Sequence, residues 1–131
     1  MPFTRIILVE GRSETWLSRL SNQLHRTLVD AFDVPVADRF QVIECLPASR
    51  IVSDPHYLTL GGARSAQLVQ FHIIAGRQRS RTQKAEFYRL LTRRLQEEPG
   101  VRPEDVMIFI QFTSPEDWCF GNGRLYSPEC L

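Results

Sequence analysis

The chain has 131 residues, 43% of them hydrophobic and 24% charged, and a formal net charge of +1. This size and composition suit one globular domain, and the balanced charge gives no reason to expect nucleic acid as a partner. No apolar run is long enough to span a membrane, and the amino terminus lacks the apolar core of a secretion signal, so we expect no membrane partner.

The first half of the chain predicts a strand, a helix and a second strand. Residues 3–9 are almost continuously apolar, which is typical of a strand buried on both faces. Ser13 is a candidate N-cap for a helix, whose apolar face recurs at helical spacing over residues 16–31. The helix should end before Pro35, and residues 40–46 read as the second strand.

The second half predicts the same order of elements. A long connection over residues 47–66 contains proline and glycine and little periodic pattern. A third strand is predicted over residues 67–75, and Ser80 and Gln83 have the spacing of a capping box that begins a second helix. Residues 106–112 are the fourth predicted strand.

The two halves are related by a constant offset of 67 residues. This offset pairs Arg12 and Ser13 with Arg79 and Ser80, and it continues without a gap through strand, turn, helix and second strand. The match indicates two βαβ units, each with a right-handed crossover.

We therefore predict a single α+β domain over residues 1–131. Its parts are two βαβ units at about residues 2–46 and 67–112 and a C-terminal tail at residues 113–131. The units would form one four-stranded mixed sheet with both helices on one face. The other face would be apolar and open, which predicts an oligomer that packs sheet against sheet.

Pro2 has two possible roles. A proline after the initiator Met generally permits removal of that Met, which would leave Pro2 as a secondary amine at the amino terminus. An α-amino group titrates near ~8 and can donate a proton, accept one or condense with a carbonyl. Alternatively, Pro2 only begins the first strand, where a missing N–H breaks no ladder hydrogen bond.

Arg77 and Arg79 lie in the turn before the second helix. The first repeat has Glu10 in place of Arg77, so the second turn alone carries two guanidinium groups. They would repel each other unless an anion lies between them, and a small carboxylate fits a guanidinium by shape and charge. The alternative is a solvated pair, with one arginine bound to Glu10. The chain has no glycine-rich phosphate loop that would suggest a nucleotide.

Asp38, Trp118 and Phe120 are the other candidate site residues. Asp38 could orient a substrate or act as a base, or it could cap a turn or pair with an arginine, as we expect for its repeat-mate Asp105. Trp118 and Phe120 could form the apolar wall of a pocket or a small satellite core.

The cysteines and histidines do not predict a metal site. Cys45, Cys119 and Cys130 have spacings that match neither a disulfide framework nor a zinc knuckle, and the three histidines have no ligand spacing. We therefore expect a reduced, cytoplasmic protein, and we expect no metal and no catalytic cysteine.

Taken together, these residues resemble the tautomerase superfamily and, within it, the malonate semialdehyde decarboxylase family. The resemblance covers essentially the whole chain. It rests on Pro2 and on four segments: Asp38-Arg39-Phe40-Gln41, Arg77-Gln78-Arg79-Ser80, residues 87–92, and Asp117-Trp118-Cys119-Phe120-Gly121. It implies a homotrimer and a cofactor-independent reaction on a small carboxylate substrate. The catalytic set that it implies is Pro2, Asp38, Arg77 and Arg79, with Trp118 and Phe120 lining the pocket that the two arginines share.

The reaction implied by the resemblance is the decarboxylation of malonate semialdehyde to acetaldehyde and CO2. The arginines would hold the carboxylate, and Pro2 would either donate a hydrogen bond to the aldehyde oxygen or form an iminium. The same residues would suit hydration of an acetylenic or unsaturated acid, or keto–enol tautomerisation of a 2-oxo acid. A non-catalytic trimeric binding protein, similar to macrophage migration inhibitory factor, is a further alternative.

Overall fold

The computed structural model describes residues 1–127, so Cys130 of the predicted tail lies outside the described residues. It contains four strands and two long helices: β1 (Pro2–Val9), α1 (Glu14–Phe32), β2 (Phe40–Leu46), β3 (Val69–Ala75), α2 (Arg81–Glu97) and β4 (Val106–Phe112). All six predicted elements are confirmed. β3 begins two residues later than predicted because Ser65 accepts hydrogen bonds from the N–H groups of Gln67 and Leu68 and closes a turn there.

Equivalent serines begin the two helices. The hydroxyl of Ser13 accepts a hydrogen bond from the N–H of Trp16 at 3.1 Å, and that of Ser80 accepts one from Gln83 at 3.1 Å. Each bond satisfies a backbone donor that has no partner inside the helix. α1 ends at Asp33, which adopts the left-handed conformation with φ 55° and turns the chain towards β2.

The sheet has the strand order β2-β1-β3-β4. β1 runs parallel to β2 and β3 runs parallel to β4, whereas the central pair β1 and β3 is antiparallel, with Pro2 opposite Ala75. The two predicted βαβ units are therefore confirmed. Apolar side chains of both helices and of the two central strands form the core, and its fully buried members include Ile6, Leu20, Leu24, Phe71, Ile73, Phe87, Leu91 and Leu95.

The opposite face of the sheet is open but not uniformly apolar, so that part of the prediction was wrong. Val42 and Phe109 are 44% and 41% exposed there. Between them, Arg5 on β1 donates two hydrogen bonds to the carboxylate of Glu44, at 2.6 and 3.1 Å. His72 hydrogen-bonds a side-chain amide and stacks on Phe109, with ring centroids 4.5 Å apart. β1 alternates between fully and partly buried residues because only its helix-facing side is covered within one chain.

The connection over residues 47–66 contains one short 3-10 turn and is held by local hydrogen bonds, as the lack of periodicity indicated. The carboxylate of Asp54 accepts from the N–H groups of His56 and Tyr57, both at 2.8 Å. The end of this connection is fixed by Asp105, which accepts from the N–H and the hydroxyl of Ser65. None of the described helices is long and apolar enough to cross a membrane.

Candidate active site

A cavity of about 690 Å³ lies where the amino terminus, the end of α1, the β3–α2 turn and the C-terminal tail meet. Its charged and aromatic lining consists of Asp33, Asp38, Phe40, Arg77, Arg79, Phe120, Arg124 and Tyr126, together with Met1. The fold therefore brings four of the predicted site residues into one cavity although they are far apart in the chain. Those four are Asp38, Arg77, Arg79 and Phe120.

The two arginines share one backbone carbonyl. Nη2 of Arg79 and Nη2 of Arg77 both donate to the carbonyl oxygen of Phe32, at 2.8 and 2.9 Å. Phe32 is the last residue of α1, where the carbonyls lack helical partners and carry the negative end of the helix dipole. Among the described residues no ion pair joins Glu10 to either arginine. The carboxyl end of α1 thus offsets part of their mutual repulsion, and the charge of the Asp33 carboxylate also raises the pKa of Arg79, although burial and Arg77 lower it overall.

Arg79 is the buried member of the pair. Only 7% of it is exposed, and its guanidinium lies over the ring of Phe32, 5.0 Å from the centroid. Burial, with a smaller contribution from the charge of Arg77, lowers the pKa of Arg79 to about 10, which leaves it protonated at neutral pH. Its Nε has no hydrogen-bond partner within the described part of the chain. Because this atom is buried, a carboxylate in the cavity could accept from it only after the groups that cover it move.

Asp38 faces the amino terminus. Its Oδ2 lies 2.6 Å from the amino nitrogen of Met1, and its buried Oδ1 has no partner among residues 1–127. The loop that carries Asp38 is tied to α1 through a 2.7 Å hydrogen bond between His25 Nε2 and the carbonyl oxygen of Val36. Asp105, the repeat-mate of Asp38, has the local structural role that we expected for it. Its carboxylate accepts hydrogen bonds from the N–H and the hydroxyl of Ser65. Asp38 therefore has an unused acceptor beside an ammonium group.

Pro2 is buried at the start of β1 and is covered by Met1. The carbonyl oxygen of Met1 accepts a hydrogen bond from the N–H of Gly76 at 2.8 Å. It is Met1 that lines the cavity, and Pro2 is not among the lining residues of the described chain. An amide-linked proline nitrogen neither titrates nor donates, so Pro2 has no acid–base capacity while Met1 is attached.

Phe120 forms the aromatic wall of the cavity, and Trp118 stacks on Phe120 without lining the cavity itself. Phe120 lines the cavity, with the rings of Phe40 and Tyr126 each 5.6 Å away by centroid. The ring of Trp118 stacks on Phe120 at 5.6 Å with an interplanar angle of 13°, but Trp118 is not among the lining residues in the described chain. Its indole N–H donates to the hydroxyl of Thr113 at 2.7 Å, which fixes its orientation.

Thr113→Val is expected to loosen this wall. It removes the hydroxyl that accepts from the Trp118 indole and leaves a partly buried donor unsatisfied. Such a loss typically costs about 1–3 kcal/mol in the free energy of unfolding. Denaturant unfolding and tryptophan fluorescence would measure it, and Thr113→Ser, which keeps the hydroxyl, should behave like the parent. Equal stability of the valine and serine variants would show that the hydrogen bond contributes little.

Several contributors could not be found by inspecting the sequence. The carbonyl of Phe32 is a backbone group and has no side-chain signature. Asp33, Arg124 and Tyr126 stand in no recognisable spacing, although Arg124 and Tyr126 follow the aromatic segment closely. Within residues 1–127, no group of three His, Cys, Asp or Glu side chains is arranged to hold a metal ion. The cavity thus offers arginine donors, one carboxylate with a free oxygen and an aromatic wall, which suits a small carboxylate-bearing molecule.

Comparisons with known proteins show what this chain is similar to. Residues 38–121, well over half of the chain, match a family model described as "Tautomerase enzyme". Two relatives from Bacillus subtilis (strain 168) are the probable tautomerases YusQ, 41% identical, and YrdN, 35% identical. Each alignment covers 95% of this chain and 96% or 94% of the relative, respectively. Among solved structures, a malonate semialdehyde decarboxylase described with decarboxylase and hydratase activities superposes with a TM-score of 0.86. It is 35% identical, and the match covers 94% of this chain and 93% of that one.

Proposed function

Because this chain belongs to the tautomerase enzyme family, we propose that it decarboxylates malonate semialdehyde to acetaldehyde and CO2 without a cofactor. The observation that carries the proposal is the meeting of Arg77, Arg79 and Asp38 in one cavity beside the amino terminus. Similarity to a malonate semialdehyde decarboxylase along 94% of the chain supports the same substrate. In keeping with its free Cys45 and Cys119, we propose that the protein works in the cytoplasm.

The proposal requires that Met1 be removed. Asp38 already binds an ammonium group at this end of the chain, with 2.6 Å between its Oδ2 and the nitrogen of Met1. After cleavage the amino-terminal amine would be that of Pro2, one residue further in. Asp38 would then hold the Pro2 ammonium, or orient the aldehyde next to it.

The arginines would bind the carboxylate and orient the bond that breaks. Arg77 and Arg79 would turn the carboxylate so that the C–C bond overlaps the carbonyl π system, which is catalysis by orientation. Binding the carboxylate too strongly would stabilise the charged substrate relative to the transition state and slow the loss of CO2. The carbonyl of Phe32 occupies one donor of each arginine, and Nη1 of Arg79 also donates to the carbonyl oxygen of Arg77, so only part of the donor capacity is left for the carboxylate.

Two routes remain for the electron pair of the broken bond. In the first, the pair moves to the carbonyl oxygen, the Pro2 ammonium stabilises the enolate by hydrogen bonding, and a proton returns to carbon to give acetaldehyde. In the second, Pro2 and the aldehyde lose water to form an iminium, which accepts the pair as an enamine; protonation on carbon and hydrolysis then release acetaldehyde. Borohydride would reduce an iminium on Pro2 to a stable tertiary amine, so an added mass on the amino-terminal peptide identifies the second route, whereas reduction of free aldehyde adds no mass to the protein.

The direct test is to incubate the processed protein with malonate semialdehyde and follow acetaldehyde and CO2. We expect turnover that depends on enzyme concentration. Absence of turnover with this substrate would refute the decarboxylase proposal. Absence also with phenylpyruvate enol and with an acetylenic 2-oxo acid would argue against an enzyme of this class.

A second candidate is keto–enol tautomerisation of a 2-oxo acid. It is favoured by the two Bacillus subtilis relatives, which are named as probable tautomerases. The same arginines would bind the carboxylate, and a neutral Pro2 amine would move the proton between oxygen and carbon. Ketonisation of phenylpyruvate enol at a higher kcat/KM than decarboxylation would favour this candidate. Hydration of an acetylenic acid is the third activity to be assayed, because the similar decarboxylase is also described as a hydratase.

We further propose a homotrimer that packs through the open face of the sheet. Val42→Arg adds a charge beside Arg5 on this face and should shift the protein to the 15.2 kDa monomer. Ala85→Arg adds the same charge at an exposed position of α2 and should leave the trimer intact. Light scattering after gel filtration measures both. A Val42→Arg variant that remains trimeric would place the interface elsewhere.

A further inference from the structure

Gly76 directly follows the last residue of β3 and lies against Met1. It is buried, and its N–H donates to the carbonyl oxygen of Met1 at 2.8 Å. A Cβ on Gly76 would lie 2.5 Å from Cε and 2.9 Å from Cβ of Met1, and 3.1 Å from Nε1 of Trp118. The positive-φ glycines of the described chain do not include Gly76, so this glycine is needed for space and not for an unusual backbone angle. Met1 therefore fills a narrow space that Gly76 and Trp118 enclose.

Removal of Met1 would change the state of two neighbouring donors at once. The Gly76 N–H would lose the one acceptor that it has within residues 1–127, and the Pro2 nitrogen would become an amine. In a peptide unit the carbonyl oxygen lies about 2.3 Å from the nitrogen of the next residue, given bond lengths of about 1.23 and 1.33 Å. An oxygen atom seated close to the vacated position would thus be within hydrogen-bonding reach of both donors after a shift of less than about 1 Å.

We propose that the position of the Met1 carbonyl oxygen marks the binding site of the substrate's carbonyl oxygen, held jointly by the Gly76 N–H and the Pro2 ammonium. The inference rests on the proposed function, because it takes the substrate to be an oxo acid. When the C–C bond to the carboxylate breaks, the electron pair moves to this oxygen, and the two donors stabilise the enolate. The Gly76 donor is fixed by the strand and needs no reorganisation, which is the property that makes backbone donors effective in oxyanion sites.

The same geometry makes uncleaved Met1 an internal blocker that mimics a ligand. Its carbonyl binds the Gly76 donor, its ammonium binds Asp38, and its side chain packs over Gly76. Cleavage would free all three contacts together.

The test replaces Gly76 with glycolic acid through a backbone ester, which removes the N–H and adds no atoms to the cavity. In the processed protein the Gly76 N–H has no acceptor within residues 1–127, so Tm should fall only slightly, because the Ala75 carbonyl accepts less strongly from Thr113 once it is an ester. The kcat should fall about 100-fold or more. In the Met1-retaining protein the same ester also breaks the 2.8 Å hydrogen bond and should lower Tm further. A processed ester variant with the parent's kcat would overturn the inference.

A second measurement does not depend on decarboxylation. In processed protein labelled with ¹⁵N-glycine, pyruvate should move the amide proton of Gly76 downfield, and the amide of Gly121, which lines the cavity, reports binding independently. A shift at Gly121 without one at Gly76 would overturn the inference, as would no shift at either. If the parent protein fails to decarboxylate malonate semialdehyde but Gly76 responds to pyruvate, the proposed substrate is wrong while the oxygen site stands.

Discussion

Arg79→Ala is expected to lower kcat/KM for malonate semialdehyde by at least about 100-fold while the protein still folds. Arg79 lines the cavity although only 7% of it is exposed, and its buried Nε has no hydrogen-bond partner within residues 1–127. Folding should survive because Arg77 still donates to the carbonyl of Phe32 and because the substitution removes a buried charge. Steady-state kinetics and a thermal melt measure the two effects separately.

The repeat supplies a matched control for this experiment. Arg12 occupies the equivalent turn of the first βαβ unit, but it stacks on Trp16, with Cζ 4.3 Å from the ring centroid, and does not line the cavity. Arg12→Ala should therefore retain the parent's kcat/KM. Equal activity losses in the two variants would mean that the arginines act through folding, and full activity of Arg79→Ala would remove Arg79 from the catalytic set.

A chain that retains Met1 is expected to show no measurable decarboxylation. The Pro2 nitrogen is then an amide, the Met1 ammonium is paired with Asp38, and Met1 lines the cavity in place of Pro2. Protein made with a removable amino-terminal extension should be inactive before the extension is cleaved, and it should gain full activity once Pro2 is exposed. Intact mass spectrometry of both samples establishes which terminus each one carries.

The cleavage experiment provides its own control, because the same preparation is assayed before and after proteolysis. A protease treatment that leaves the extension uncleaved should leave the activity at zero. Full activity of the extended or Met1-retaining protein would exclude any role for the Pro2 amine, and both routes proposed for the electron pair would need revision.

Most of the fold could be predicted from local patterns. The apolar periodicities and the capping serines Ser13 and Ser80 predict the six elements, because these signals depend on residues that are close together in the sequence. The 67-residue repeat shows that the same pattern occurs in both halves and so predicts the two βαβ connections. The open sheet face was harder to predict. Arg5 and Glu44 are 39 residues apart, and their hydrogen-bonded pair becomes visible only when β1 and β2 are placed in register.

For the candidate site, too, the sequence predicts one part and leaves another part to the tertiary structure. Residue chemistry and the family resemblance predict a set of six site residues: Pro2, Asp38, Arg77, Arg79, Trp118 and Phe120. The manner in which the arginines are held was not predictable, because their shared partner is the backbone carbonyl of Phe32, about 45 residues away. Trp118 was expected to line the cavity, but in the described chain only Phe120 of this pair does so. The ring of Trp118 stacks on Phe120, and its hydrogen bond to Thr113 fixes it in that position.

The sequence by itself therefore determined the order of the elements, the family resemblance and the list of chemically competent side chains. All of these depend on residue identity and short-range spacing. Only the tertiary structure decided which groups meet: the amino terminus with Asp38, the guanidinium pair with the end of α1, and the Met1 carbonyl with the Gly76 N–H. The physical reason is that these contacts arise from strand register and helix packing, which bring distant backbone atoms together without leaving a pattern in the residue types.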